Sequence, residues 1–207
     1  MKLHGSPTSP YVRKARVLLA EKQAQYEFIE EDPWPADSPI PSRNPLGKVP
    51  ALDTGDGNYL FESPLIVQYI DQTVGKPLEP KRKSEHFWKH QWWMALAQGI
   101  LDAAVTRIVE TRRPPEKQMQ EKLEREEARI HRAIAAAEKA HEGGKYLVGK
   151  RLTLADLMMG VALQYVDFRF PHEWRKSAPK LAKWHRGITK RPSFQETLPP
   201  GFTPPKK

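Results

Sequence analysis

Thr8-Ser9-Pro10-Tyr11-Val12-Arg13 places a hydroxyl where a helix should begin, with Ser9 suited to the N-cap and Pro10 to the first helical position. Exposed first-turn amides and the positive end of the helix dipole make such a place favourable for an anion. A thiol bound there is favoured as thiolate, its pKa drawn below the reference of about 8.5. Most N-cap serines only cap, so this run alone leaves both readings open. Glu62-Ser63-Pro64 is a second helix start, read here with Ser63 as N-cap. Its serine and amides suit a carboxylate and Glu62 suits an ammonium group, so one amino-acid head would satisfy both. Val49-Pro50 precedes a strand. An X-Pro bond there can be cis and offer the Val49 N–H and C=O to an extended peptide, although a trans proline at a strand start is the commoner arrangement.

Other chemistries are weaker. The chain has no cysteine, which excludes disulfide frameworks, thiolate metal sites and a nucleophilic thiol of its own, so any thiol chemistry uses a borrowed thiol. His86 and His90 stand four apart without the glutamate of an HExxH site, and no metal is expected. Gly55-Asp56-Gly57 lacks the third glycine of a dinucleotide loop and reads as turn chemistry. Nothing resembles a Gly-x-Ser-x-Gly elbow, so a serine hydrolase is set aside. The 34 Lys and Arg against 25 Asp and Glu give a formal charge of +9. Basic and acidic residues interleave, and the clusters Lys81-Arg82-Lys83 and Arg112-Arg113 are short and lack interleaved aromatics. A field that attracts small anions is therefore preferred to nucleic-acid binding.

Positioning these residues requires two kinds of structure. The order read from 1 to 75 is β-α-β-loop-β-β-α: a strand at Lys2-Leu3-His4, a helix from Pro10 to about Lys22, a strand at Tyr26–Glu30, and a proline-rich connection over 32–47. A hairpin around 53–57 and a helix from Pro64 to about Val74 complete it. Beyond a linker at 77–84 the pattern is helical: 84–111, a helix starting at Pro114-Pro115 and running to Gly143-Gly144, one opened by Thr153-Leu154-Ala155-Asp156, and one near 178–190 before a proline-rich tail. Leu152 and Leu157 suit a hydrophobic staple for the third of these. The first residues lack the apolar stretch of a secretory signal and no run reaches the length of a membrane span, so a soluble, cytoplasmic protein is expected.

Taken in order, Ser9-Pro10-Tyr11-Val12-Arg13, Asn44-Pro45-Leu46-Gly47-Lys48-Val49-Pro50 and Glu62-Ser63 resemble the cytosolic glutathione S-transferase family. The Ser9 to Arg13 run is similar to the serine-containing motif of tau-like and bacterial members, and the chain as a whole most resembles small bacterial glutathione S-transferase-like proteins with serine at the thiol-activating position. The Thr153–Asp156 capping box also looks like that family's folding signal. The resemblance implies an α/β thioredoxin-like N-terminal domain over 1–76 with a cis Pro50, an all-α C-terminal domain over 85–207, and a homodimer. It implies glutathione as co-substrate, with Ser9 stabilising its thiolate, Val49 and Pro50 presenting backbone to the cysteinyl unit, Glu62 and Ser63 holding the γ-glutamyl end, and Lys48 near the glycine carboxylate. Where the omega and beta classes carry cysteine this chain has Ser9, which disfavours mixed-disulfide chemistry through a protein thiol. Conjugation to small electrophiles, a detoxifying reaction, or hydroperoxide reduction remains.

The electrophile site is expected between the domains, with Tyr11, Trp34, Met94, Gln98, Tyr165, Phe168 and Arg169 as candidates, although aromatic stripes are more often core. The alternative is a non-catalytic interaction module of the same fold, since fold alone does not establish activity.

Overall fold

Strand β1 (Lys2–Gly5) leads through helix α1 (Pro10–Glu21) to β2 (Glu27–Glu30), followed by an irregular stretch holding one 3-10 turn, Ile40–Ser42. The hairpin strands β3 (Ala51–Asp53) and β4 (Tyr59–Leu60) come next, then α2 (Ser63–Thr73). The computed structural model describes residues 1–170 and 173–205. The sheet has the order β2-β1-β3-β4, with β1 parallel to β2 across the α1 crossover and antiparallel to β3. Leu3 and Leu52, paired in register, are fully buried, as are Val12, Leu18 and Leu19 of α1 and Ile66 and Ile70 of α2. Burial of such side chains is worth about 1.5–3 kcal/mol each and holds the two helices to the sheet.

This first compact unit comprises Met1–Leu78 together with Arg191–Phe202. The late segment is fastened by charge-assisted bonds: Arg191 donates to both Glu21 carboxylate oxygens at 2.6 and 2.7 Å, and Ser193 donates to the same group. Arg13, 3 % exposed, donates to the Thr197 and Phe194 carbonyls at 3.0 and 3.1 Å. Burial, with Arg16 nearby, draws the Arg13 pKa down to about 9, so the guanidinium keeps its charge at neutral pH. A buried Lys22–Asp71 pair at 2.8 Å closes the other end of α1, the Asp71 carboxylate also accepting from Leu78 N.

The second unit is built on Glu79–Lys190 and contains α3 (Phe87–Thr111), α4 (Gln120–Ala140), α5 (Leu154–Arg169), α6 (Trp174–Ser177) and α7 (Pro179–Ile188). Every residue of α5 from Leu154 to Val166 is buried, so this helix is the core around which the unit is built. Asp156 accepts from Thr153 N and Thr153 Oγ1, both at 2.9 Å, from Leu147 N at 2.8 Å and from Trp184 Nε1 at 3.3 Å. The expected capping box is present and reaches beyond its own helix. Asp167 ties α6 to α5 by accepting two bonds from Arg175 and one from Trp174 Nε1.

Three local expectations are corrected. The second helix of this unit starts at Gln120, not at Pro114-Pro115, where there is only a 3-10 turn, Pro115–Lys117. The buried Glu110 carboxylate accepts from Met119 N and Lys122 and holds that turn open. Its end falls at Ala140, ahead of the glycine pair. Ser63 is the first residue of α2 and Glu62 its cap, with no capping bond from a side chain.

His141 packs against Trp184, ring centroids 6.2 Å apart, with Glu138, Glu142, Lys89 and Lys180 around it. Burial holds its pKa below 6.5. The folded state therefore binds this proton less readily than the unfolded chain, and the contribution to stability present above pH 6.5 is lost as pH falls through the folded pKa. Denaturant unfolding at stepped pH is expected to show that loss, and His141→Gln to flatten it.

Candidate functional site

Ser9 caps α1 in extended conformation, and its Oγ accepts from Val12 N at 3.4 Å, the one bond this hydroxyl makes among the described residues. That contact is long for a cap. The hydroxyl proton is left to donate to an anion at the helix start, where the dipole favours negative charge. Ser6 and Thr8, whose hydroxyls lie 3.2 Å apart, form the turn leading into it.

Gly5 ends β1 where the backbone runs against α1 and the loop before β3. A Cβ there would lie 2.4 Å from Val12 Cγ2 and 3.3 Å from Val49 Cβ, so only glycine lets β1, α1 and Val49 approach this closely. Gly5→Ala is expected to destabilise the protein by about 1–3 kcal/mol through overpacking, read by denaturant unfolding.

Val49 is held from the other side by Asn44. The Asn44 amide, 1 % exposed, donates to Lys48 O at 2.6 Å and accepts from Leu46 N at 2.9 Å. The Val49–Pro50 bond is cis, and so is Phe61–Glu62. Neither the N–H nor the C=O of Val49 is bonded within the described residues, leaving a backbone donor and acceptor for an extended ligand to pair with. Further back, Glu31 accepts from His4 Nδ1 at 3.1 Å and from Arg43 at 3.0 Å, pinning the long proline-rich connection to β1 at one end and near Asn44 at the other.

Lys48 and Glu62 are exposed and stand 3.8 Å apart. At this distance and exposure the pair contributes at most about 1 kcal/mol, so both charges remain open to ligand groups. Ser63, 1 % exposed, accepts from Lys14 Nζ at 3.1 Å, and Lys14 is itself only 3 % exposed. Lys14 was not singled out from sequence. A lysine on an otherwise apolar helix face is the signal that could have found it, because a buried ammonium needs acceptors.

Ser9, Val49, Pro50, Lys48, Glu62 and Ser63 thus all belong to the first unit, as do Tyr11 and Trp34. Tyr11 is partly exposed and Trp34 is 63 % exposed. Tyr165, Phe168 and Arg169 come together at the end of α5 in the second unit, the Arg169 guanidinium lying 4.0 Å from the Phe168 ring centroid and 5.4 Å from that of Tyr165. Tyr165 is buried, which pushes its phenol pKa up. Met94 and Gln98 lie on α3, Gln98 bonded to Asp102 at 2.9 Å. Among the described residues no group of three or more His, Asp or Glu could hold a metal ion, and no helix is long and apolar enough to cross a membrane.

A mixed sheet flanked by α1 and α2, followed by an all-helical unit, is the architecture of a glutathione S-transferase. The chain belongs to that family: its residues 3–78 match the family's N-terminal domain and 120–187 its C-terminal domain. A GST-like protein of Escherichia coli K12, YibF, described as uncharacterized, is 37 % identical over 97 % of this chain and 99 % of its own length. A glutathione S-transferase from Methylobacillus flagellatus KT, solved with glutathione bound, superposes with a TM-score of 0.90 at 34 % identity, covering 96 % of this chain and 98 % of that one. A glutathione transferase family member from Pseudomonas fluorescens Pf-5, solved with S-(propanoic acid)-glutathione, gives 0.83 at 38 % identity over 97 % and 100 % of the two chains.

Proposed function

We propose that this protein binds glutathione in its first unit and holds the thiol as thiolate at Ser9 for transfer to a small electrophile. The observation that carries this reading is the Ser9 hydroxyl, placed at the N-terminus of α1 with a single long bond to Val12 N and a proton left to donate. Around it the chemistry matches the tripeptide: the unbonded backbone of Val49 for the cysteinyl unit, Glu62 and Ser63 for the γ-glutamyl ammonium and carboxylate, and Lys48 for the glycine carboxylate. The similar structures from Methylobacillus and Pseudomonas, which contain glutathione and a glutathione conjugate, support it.

In conjugation the sulfur–carbon bond forms as the bond from carbon to the leaving group breaks, and the thiol proton passes to solvent. In hydroperoxide reduction two thiols are oxidised to one disulfide while the O–O bond is cleaved to an alcohol and water. Both begin with the same thiolate. Within the first unit, Tyr11 and Trp34 are the residues we assign to the electrophile. A cytoplasmic setting fits, since glutathione poises that compartment. We take the working form to be a homodimer.

Calorimetric titration with glutathione, followed on the same sample by assay with an aryl halide and an organic hydroperoxide, tests the reading. Saturable binding with turnover supports it and ranks the two reactions. Absence of binding replaces it with a non-catalytic interaction module.

A further inference from the structure

An ammonium group has donors and no acceptor, so in the 3.1 Å contact between Lys14 Nζ and Ser63 Oγ the direction is settled: lysine donates and the serine oxygen accepts. Lys14 is the sole partner of that oxygen among the described residues. Ser63 is 1 % exposed, and its own O–H is left as a buried donor that no protein group takes up, a costly arrangement unless a ligand completes it. It stands at the first position of an eleven-residue helix, where the dipole also favours negative charge.

We infer that Lys14 is a positioning residue that makes Ser63 a dedicated donor to the ligand's carboxylate, and so sets the protein's requirement for the α-carboxylate of the γ-glutamyl group. The inference rests on the glutathione reading above. With the lysine absent, the serine oxygen loses its fixed acceptor role and the hydroxyl can turn to donate to a protein carbonyl instead. The geometry has a second consequence: Ser9 caps α1 and Lys14 lies within it, so one rigid helix supports both the thiol end and the carboxylate end of the bound peptide.

The test is calorimetric titration of wild type, K14M, K14R and S63A with two probes, glutathione and γ-aminobutyryl-Cys-Gly, which is glutathione without that α-carboxylate. K14M is expected to bind glutathione about 10- to 100-fold more weakly, the span of a hydrogen bond to a charged group. It should bind the decarboxylated probe within about threefold of wild type. K14R should recover most of the loss, and K14M combined with S63A should be no worse than K14M alone, because the two act through one contact. In turnover the KM for glutathione rises while kcat falls less than about threefold. K14M binding glutathione like wild type, or weakening both probes alike, overturns the inference. Thermal melts accompany each variant, and K14Q, which keeps a donor without fixing its direction, replaces K14M if that variant does not fold. Failure of the glutathione reading itself shows separately, as wild type that binds neither probe.

Discussion

Ser9→Ala is expected to lower kcat by about 100-fold or more while changing the dissociation constant for glutathione by only a few fold. The hydroxyl matters where charge sits on sulfur, and removing one donor from such a position costs on the order of 100- to 1000-fold in other enzymes. In the proposed site binding would draw instead on Val49, Lys48, Glu62 and Ser63, which the substitution leaves in place. Ser9 is also the cap of α1, and loss of a serine cap to alanine costs about 1 kcal/mol of stability, whereas glycine costs only a few tenths. Ser9→Gly therefore separates the two roles. It should lose turnover as fully as the alanine variant while retaining more stability, and in both the thiolate absorbance of bound glutathione should appear only at higher pH. Turnover near wild type in both variants would remove Ser9 as the activator.

The second large effect is structural. Asp156→Ala should destabilise the second unit by about 3–5 kcal/mol, because it strands Leu147 N, Thr153 N and Trp184 Nε1 as well as the Thr153 hydroxyl, and buried donors without acceptors cost about 1–3 kcal/mol each before relaxation. Chemical denaturation followed by tryptophan fluorescence reads this directly. A loss below 1 kcal/mol would show that water replaces the carboxylate. Burial raises the Asp156 pKa above its ordinary 3.8. The stability linked to this proton is complete below that value and declines as pH rises through the folded pKa, opposite in sense to His141. Mild acid thus relieves Asp156 while it penalises His141.

Asp156 also shows what could be read in the chain before its structure. Thr153-Leu154-Ala155-Asp156 is a local motif, and its box follows from residues three apart; the bonds from Leu147 and Trp184 are not local, and nothing in the spacing announces them. The β-α-β and hairpin order was legible because each element carries its own period and its own turn residues. Ser63 was misplaced as a cap because its hydroxyl is engaged by Lys14, forty-nine residues earlier. The Pro114-Pro115 pair suited the first turn of a helix, yet Glu110 captures the amide of Met119 and the helix starts at Gln120. Tyr165, Phe168 and Arg169 cluster as helical spacing requires, whereas Asn44, buried among loop residues, revealed its bracing role only through its bonds.

The segment Arg191–Phe202 completes a unit whose other residues are the first seventy-eight of the chain. The order of synthesis is consequently not the order of completion. When Lys190 has been made, every helix of the second unit is in hand, while Glu21 still waits for Arg191 and Ser193 and the Arg13 guanidinium still lacks the carbonyls of Phe194 and Thr197. On the ribosome the helical unit can close first, and the unit carrying Ser9 remains unfinished, with the Arg13 cation short of its acceptors, until Thr197 has been added.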